Sequence, residues 1–244
     1  MTLILHPGPL YTFAELEDLP LRHGIFPKQT NASGEECPAT NAQIADILGA
    51  EVYCDLHQRH TTTVYRATKT FPRQQPGDGL FTNELGLSLH IRHSDCQAAI
   101  FYDRKHHVVA NVHSGWRGLV GNIYAVTVKN LKKAFNSVPK DLLVAIGPSL
   151  GPNYSIYPDY DFLFPRSFQA FMGPKEHIDF RALAHKQLRD LGIPEQNITI
   201  ADICTYTEHT TFFSSRYVRQ NSSQTHQIRR KYNNVTAVLL LPRE

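Results

Sequence analysis

The sequence RHSDCQAAIFYDRKHHVVANVHSGWRG, residues 92–118, carries the strongest structural signal in the chain. It contains two apolar runs, 97–102 and 108–112, which are typical of buried β-strands and are separated by a short polar turn. We therefore predict a β-hairpin. Cys96 comes directly before the first strand and His113 directly after the second, so the hairpin would bring these two side chains together at one end of a sheet.

Strand and helix patterns alternate on both sides of this hairpin. The chain is predicted to form an α/β (α+β) fold with a mixed sheet, because some connections between strands are too short for a purely parallel arrangement. A single domain is expected over residues 1–244, since no Gly/Ser-rich linker divides them. The polar stretches 28–38 and 71–79 are predicted loops. The other predicted strands are 61–67, 87–92, 141–146, 197–203 and 235–241, and the predicted helices are 119–135 and 179–191.

The composition excludes several classes of protein. The chain has 244 residues, of which 41% are hydrophobic and 19% charged, and this is too apolar for a disordered protein. Its formal net charge of +3 is smaller and more dispersed than the charge typical of nucleic-acid-binding domains. No apolar run is long enough for a membrane-spanning helix. We therefore expect neither nucleic acid nor membrane as a partner.

The four cysteines contain no C-x-x-C pair and no spacing typical of a disulfide framework. Free thiols are typical of a reducing compartment. The N-terminal residues also lack the pattern of a secretory signal. These observations predict a cytoplasmic protein.

Cys96 and His113 together allow three hypotheses. The thiol could be a nucleophile with the imidazole as its base. The two side chains could instead be ligands of a zinc ion. They could also be purely structural, as a buried thiol beside a hydrogen-bonded histidine.

A third histidine strengthens the metal hypothesis. His57 and His60 both precede the predicted strand 61–67, and either could complete a His, Cys and His set. Three protein ligands leave the fourth position of zinc open, which is the pattern of catalytic zinc sites. The spacing alone does not decide between the two histidines.

The sequence disfavours a copper oxidase. Blue-copper sites commonly add a methionine to two histidines and a cysteine, and the chain has only Met1 and Met172. It also contains no His-x-His pair of the kind that multicopper oxidases use. His90 and His93 are predicted to be surface or core residues, and His106 and His107 to face solvent in the hairpin turn.

Six short segments together resemble one known family, the laccase-domain (YfiH-like) proteins, once labelled multicopper polyphenol oxidoreductases. The resemblance extends from about His23 to Leu241. It is most specific around the cysteine and the HSGWRG segment. The matching segments are Gln58-x-His60, Ser94-Asp95-Cys96, His113–Gly118, Ile146-Gly147-Pro148, Cys204-Thr205 and Phe213-Ser214-x-Arg216.

This resemblance implies a mixed α/β sandwich flanked by helices, with one zinc ion bound by His60, Cys96 and His113. It therefore selects His60 over His57. It further implies a purine nucleoside phosphorylase that acts on adenosine, inosine and methylthioadenosine and also deaminates adenosine. Family members are in addition linked to the editing of peptidoglycan precursors. Some are assigned laccase activity, so copper is possible in place of zinc.

The resemblance also implies where substrate would bind. His60, Cys96, His113 and Asp95 would be catalytic, with Asp95 as a proton carrier or as the partner of a ligand histidine, although it could equally be a turn residue. Lys28, which stands where the family has an arginine, and Arg216 would neutralise the phosphate. The expected partners are therefore a purine nucleoside and phosphate, bound by a monomer.

Three alternatives stay open. In a cysteine-dependent amidase that edits peptidoglycan precursors, Cys96 would be the nucleophile and His113 its base, with no metal. The chain could also hold zinc without catalysing a reaction. A copper laccase is the least favoured of the alternatives, for the ligand reasons given above.

Overall fold

The computed structural model describes residues 3–8, 10–221 and 232–243, and these ranges form two six-stranded sheets with helices on their outer faces. The strands are β1 Leu3–His6, β2 Leu10–Phe13, β3 Leu21–Phe26, β4 Lys28–Thr30, β5 Glu36–Pro38, β6 Val52–Cys54, β7 Leu56–His57, β8 Val64–Arg66, β9 Gln75–Pro76, β10 Gly79–Thr82, β11 Leu87–His93, β12 Gln97–Asp103, β13 Val108–Ser114, β14 Leu142–Ile146, β15 Ile198–Ile200 and β16 Asn234–Leu240. The helices are α1 Asn41–Leu48, α2 Trp116–Val120, α3 Ile123–Phe135, α4 Tyr160–Leu163, α5 Phe180–Asp190 and α6 Ser215–Asn221.

Both large sheets are mixed, as predicted. The first has the order β1-β2-β3-β16-β11-β6, and only the pair β11 and β6 at its edge is parallel. The second has the order β15-β14-β12-β13-β10-β8, with a parallel pair at each edge and antiparallel pairs between. The predicted α/β (α+β) class and the sandwich flanked by helices are therefore confirmed.

The main core lies between the two sheets, which pack face to face through β11 and β16 on one side and β13 on the other. Leu89, Ile100 and Val238 are fully buried there. Helices α3 and α5 cover the outer face of the second sheet, and α1 covers the first. Strand β13 is consequently buried along its whole length. Strands covered on both faces have near-continuous apolar sequences, which explains why this hairpin is so easily read from the sequence.

The hairpin of β12 and β13 has the predicted pairing. Ala98 is opposite His113, and Gln97 is opposite Ser114. His113 therefore lies inside its strand rather than after it, and Cys96 lies in the turn that precedes β12. The two side chains meet at one end of the second sheet.

Several predicted boundaries are wrong for local physical reasons. The predicted helix 119–135 is two helices, because Asn122 adopts a left-handed conformation with φ of 50° and caps α3 through the backbone N–H of Ala125. The predicted loop 28–38 is a small hairpin of β4 and β5, and loop 71–79 contains the short strand β9. Strands predicted over 61–67 and 197–203 span only three residues each.

Four other histidines are predicted from the sequence to lie in the core, at the surface or in the hairpin turn. His90 and His93 are both buried core residues. His106 and His107, predicted to face solvent, are half-buried because the hairpin turn folds back on the sheet. One nitrogen of His107 contacts the Tyr102 hydroxyl, and the other contacts the carbonyl of Leu241.

Two properties of the described residues bear on the expected environment. The four cysteines all lie within the described ranges and are free thiols. Across 3–8, 10–221 and 232–243, no helix has both the length and the apolar character needed to cross a membrane.

Candidate metal centre

Three side chains from separate parts of the chain converge at one end of the second sheet. His60 lies in the turn between β7 and β8, Cys96 in the turn before β12, and His113 near the end of β13. One ligand atom from each lies within 4.8 Å of the other two. Cys96 Sγ is 3.9 Å from His60 Nε2, and the two imidazole rings are nearly perpendicular, with centroids 4.8 Å apart.

This donor set fits a tetrahedral metal ion. Zinc bonds of about 2.0–2.1 Å to nitrogen and about 2.3 Å to sulfur place the donors roughly 3.4–3.6 Å apart in a tetrahedral site. The Cys96–His60 separation of 3.9 Å is within a few tenths of an ångström of that value. His113 is buried, Cys96 is half-buried and His60 is exposed, so the open side of the set faces solvent. His57 points elsewhere, with its Nε2 3.3 Å from the Arg59 guanidinium.

Gly115 makes the close approach of Cys96 and His60 possible. A Cβ atom at this position would lie 2.9 Å from Cys96 Sγ and 3.0 Å from His60 Cδ2. Real Cβ contacts are rarely that short, so any side chain here would displace a donor. The glycine in the HSGWRG segment is therefore required by the site and not by its backbone conformation, whose φ of −81° any residue can adopt.

A buried carboxylate that the sequence reasoning missed lies behind the three donors. Asp78 is fully buried and accepts a hydrogen bond from His113 Nδ1 at 2.9 Å. It also accepts from the backbone N–H groups of the turn that carries His60. The only sequence signal was an aspartate between Gly77 and Gly79, within a stretch predicted as a loop.

The charges of these groups are strongly coupled in the metal-free protein. Burial raises the pKa of the Cys96 thiol, but the adjacent His113 and His60 outweigh this effect and lower it to about 6. Burial lowers the pKa of His113, but the Cys96 thiolate and Asp78 raise it to about 9. Burial raises the pKa of Asp78, yet its bond to His113 and its contacts with Thr61 lower it to about 2. In the absence of metal, these opposite shifts favour the thiolate of Cys96 and the protonated form of His113.

Asp95 anchors the turn before Cys96 to the C-terminal part of the chain. Its Oδ1 accepts from the hydroxyls of Thr205 and Ser214, and its Oδ2 accepts from the backbone N–H of Arg216. Burial raises the pKa of this carboxyl although those three donors oppose the shift. The carboxylate that bonds the predicted ligand His113 is Asp78, whereas Asp95 bonds Thr205, Ser214 and Arg216.

Arg216 lies beside an aromatic cluster that borders the Cys96 site. Its guanidinium is 5.5 Å from the centre of the Tyr157 ring and donates two N–H groups to the carbonyl of Ile156. Tyr157 contacts Trp116 edge-on, and Arg117 stacks over the Trp116 ring at 4.2 Å. Two arginines therefore flank a pair of aromatic rings next to the three donors.

Lys28 is held away from this group. Its ammonium forms a 2.7 Å ion pair with Glu36 and lies 5.3 Å from the centre of the Phe213 ring. Its backbone N–H donates to the carbonyl of Thr211. The structure thus places Lys28 near the segment that carries Arg216, but its charge is already neutralised.

A surface cavity of about 380 Å³ is bordered by the segments 151–154 and 202–212. Its walls include Tyr154, Arg181, Cys204 and Glu208, and none of the three donor residues lines it. The Arg181 guanidinium donates hydrogen bonds to the Asp202 carboxylate and to the carbonyls of Ser149 and Ile203. The three donors of the candidate metal centre are therefore not part of the wall of this cavity.

Known proteins resemble this chain both in sequence and in fold. A purine nucleoside phosphorylase of Bacteroides thetaiotaomicron is 34% identical over 148 residues, which is 57% of this chain and 55% of that protein. The purine nucleoside phosphorylase YfiH of Shigella flexneri is 31% identical over 168 residues, covering 66% of this chain and 67% of that protein. The chain thus spans little more than half the length of the first of these relatives.

Solved structures share the whole architecture. The crystal structure of Bacillus licheniformis hypothetical protein YfiH matches with a TM-score of 0.78 at 20% identity, covering 98% of both chains. YlmD from Geobacillus stearothermophilus matches with a TM-score of 0.77 at 19% identity, covering 98% of this chain and 99% of that one. The family model described as multi-copper polyphenol oxidoreductase laccase matches residues 31–228. Because that match covers most of the sequence, the chain belongs to this laccase-domain family.

Proposed function

We propose that this protein is a metal-dependent purine nucleoside phosphorylase, with His60, Cys96 and His113 as the metal ligands. The observation that carries the proposal is the convergence of these three donors around an open, solvent-facing side. The names of the sequence relatives supply the reaction class. Zinc is the proposed ion, and copper is the alternative that the same donor set can hold.

The proposed substrates are adenosine, inosine or methylthioadenosine, together with phosphate. A phosphate oxygen would form a bond to the sugar C1′ while the bond from C1′ to the purine nitrogen breaks. The electron pair of that bond leaves with the purine, which takes up a proton, and the sugar 1-phosphate is the second product. A zinc ion at the site would supply positive charge that stabilises negative charge in the transition state.

Arg216 is the proposed phosphate-binding residue. The carbonyl of Ile156 accepts from both Nη1 and Nη2 and so orients the guanidinium, whose other N–H groups would bind the phosphate. Lys28 contributes less in this proposal, because it would have to leave Glu36 before it could meet an anion. The adjacent rings of Trp116 and Tyr157 offer a surface for the purine.

Asp95 has two proposed roles. The three hydrogen bonds that it accepts fix the turn that presents Cys96. Its raised pKa also suits a proton carrier to the departing purine. The proposed side activity, deamination of adenosine, would consume water and release ammonia and inosine at the same site.

The test is product analysis of zinc-loaded protein incubated with adenosine, with and without phosphate. We expect adenine and ribose 1-phosphate only when phosphate is present. Cys96→Ala should abolish the reaction, whereas Cys37→Ala, a half-buried thiol on β5, should leave it unchanged. Inosine as the sole product would refute the phosphorylase reaction and support deamination alone.

A cysteine-dependent amidase is the second candidate, favoured by one specific observation. Cys96 lies beside His113, and His113 Nδ1 donates to Asp78, so a thiol, an imidazole and a carboxylate follow one another in the order of an activated cysteine nucleophile. Peptidoglycan precursors are its proposed substrates. Removal of metal should abolish phosphorolysis but spare amide hydrolysis. Loss of stability on chelation, with no turnover in either assay, would indicate a zinc protein without catalytic function.

A further inference from the structure

One carboxylate connects two donors that are far apart in the sequence. Asp78 Oδ1 accepts from His113 Nδ1 and from the backbone N–H of His60, both at 2.9 Å. Its Oδ2 accepts from the backbone N–H groups of Arg59 at 3.1 Å and Thr61 at 2.7 Å, and from the Thr61 hydroxyl at 2.8 Å. All the lone pairs of this fully buried side chain are therefore used on the two histidine-bearing segments.

We propose that Asp78 is a positioning residue that assembles the His60, Cys96 and His113 donor set before metal binds and so determines the affinity for the metal. This inference rests on the metal centre of the proposed function but not on the nucleoside reaction. Two structural steps carry it, one for each histidine.

The first step concerns the orientation and tautomer of His113. A histidine that donates its Nδ1 proton to Asp78 presents the lone pair of Nε2 to a ligand. The backbone N–H of His113 also donates to the backbone carbonyl of Asp78 at 2.7 Å. Asp78 therefore fixes His113 both through its main chain and through its side chain. An anionic partner in addition makes the imidazole a better electron donor.

The second step concerns the turn that carries His60. This residue has a left-handed backbone with φ of 59°, which is unfavourable for a residue with a side chain. Gln58 fixes the start of the turn through two hydrogen bonds to the backbone of Arg92. Beyond that point, the N–H groups of three successive residues bind Asp78. Without the carboxylate, the turn would relax and the His60 ring would leave Cys96.

The test compares the zinc affinity of full-length Asp78→Asn with that of the wild type, measured by competition with a chromophoric chelator. Asparagine keeps the size but replaces one acceptor by an NH₂ group that faces donors. Partners of a ligand histidine typically contribute about 10- to 100-fold to metal affinity, and we expect a loss of that size. Cobalt loading gives a second readout, because loss of His60 as a ligand should change the visible d–d bands of the bound ion.

Asp103→Asn is the matched control. Asp103 is also fully buried, contacts His106 Nδ1 at 2.9 Å and accepts from two backbone N–H groups, but it lies at the opposite end of the hairpin. We expect this variant to lose stability while its zinc affinity stays within twofold of the wild type. An equal loss of affinity in both variants would show a general effect of instability and would overturn the proposal.

Wild-type affinity in folded Asp78→Asn would also overturn the proposal. If that variant does not fold, Thr61→Val serves instead. It removes the hydroxyl that donates to Asp78 and accepts from the backbone N–H of Thr63, and it should weaken zinc binding about threefold. Unchanged affinity in Thr61→Val would then be decisive against the proposal. Wild-type protein that binds zinc but leaves nucleosides intact would refute only the proposed reaction, whereas wild-type protein that binds no zinc refutes the metal centre and this inference with it.

Discussion

Gly115→Ala should weaken metal binding without unfolding the protein. The new Cβ would meet Cys96 Sγ at 2.9 Å and His60 Cδ2 at 3.0 Å, whereas ordinary contacts begin at 3.4 Å. Cys96 Sγ and His60 Cδ2 would therefore have to move away from the new Cβ by about 0.4–0.5 Å, which exceeds the tolerance of about 0.2 Å for metal–ligand distances.

The magnitude follows from the same contacts. A methyl group inserted into a well-packed place destabilises by typically about 1–3 kcal/mol. With metal bound, the donors cannot move aside, and this strain corresponds to roughly a 5- to 150-fold loss of affinity at 1.36 kcal/mol per factor of ten. Without metal, Cys96 and the exposed His60 can shift towards solvent, and the backbone of Gly115 suits alanine. The unfolding midpoint of the metal-free variant should therefore stay close to that of the wild type.

The assay is a zinc titration paired with urea unfolding of chelator-treated protein. Gly173→Ala is the control, because its nearest neighbours are at ordinary contact distances of 3.8 and 3.9 Å and it lies outside the site. Wild-type zinc affinity in Gly115→Ala would refute the close approach of Cys96 and His60. A large loss of metal-free stability would show instead that the glycine serves folding.

Two further predictions concern the anion and the thiol. In a steady-state assay, Arg216→Ala should raise the KM for phosphate about tenfold or more and change the KM for the nucleoside much less. Lys28→Met should have only a small effect on the KM for phosphate, because Glu36 already neutralises the Lys28 ammonium. An equal rise in both KM values would show that Arg216 supports the folded structure and does not bind phosphate specifically. In metal-free protein, the rate at which iodoacetamide alkylates Cys96 should rise with pH around the pKa of about 6, because the thiolate is the reactive form. The same lowered pKa stabilises the folded state above that pH, and this stabilisation is lost as the pH falls through it. Mass spectrometry follows the alkylation. A midpoint of the pH profile near the ordinary thiol pKa would contradict the pairing of Cys96 with His113.

The geometry relates the metal and thiol hypotheses to each other. Two of the three donors that fit a zinc ion, Cys96 and His113, lie side by side with the buried carboxylate of Asp78 behind them, and without metal this arrangement favours the thiolate of Cys96. Metal binding requires the neutral histidine and the thiolate, so zinc would displace a proton from His113. Zinc affinity should therefore fall as the pH is lowered. Whether metal removal abolishes or exposes activity distinguishes the two proposed enzymes.

The surroundings of Cys96 are built by long-range packing. Asp95 next to it binds Thr205, Ser214 and Arg216, more than 100 residues further along the chain. These three bonds hold the segment that carries Arg216 next to the Cys96 turn, and the Arg216 guanidinium lies over the Tyr157 ring. The side chain of Arg216 is not one of the three donors, so variants of this residue can be tested without replacing a donor.

The sequence by itself determined the fold class, the hairpin and the pairing of Cys96 with His113. These features depend on apolar runs and turns between near neighbours, and strands buried on both faces leave a clear apolar signal. Residue spacing alone left His57 and His60 equally acceptable. The family resemblance selected His60, and the structure places that residue among the donors.

Only the tertiary structure decided which polar groups support the site. Asp78 lies 18 residues from His60 and 35 from His113, and a glycine-flanked aspartate in a polar stretch gives no sign of either bond. Lys28 was predicted from its positive charge to bind phosphate, but the pairing of β4 with β5 brings its ammonium to the Glu36 carboxylate. The physical reason is that a periodic pattern is a property of adjacent residues, whereas the partner of a buried charge is chosen by how distant segments pack.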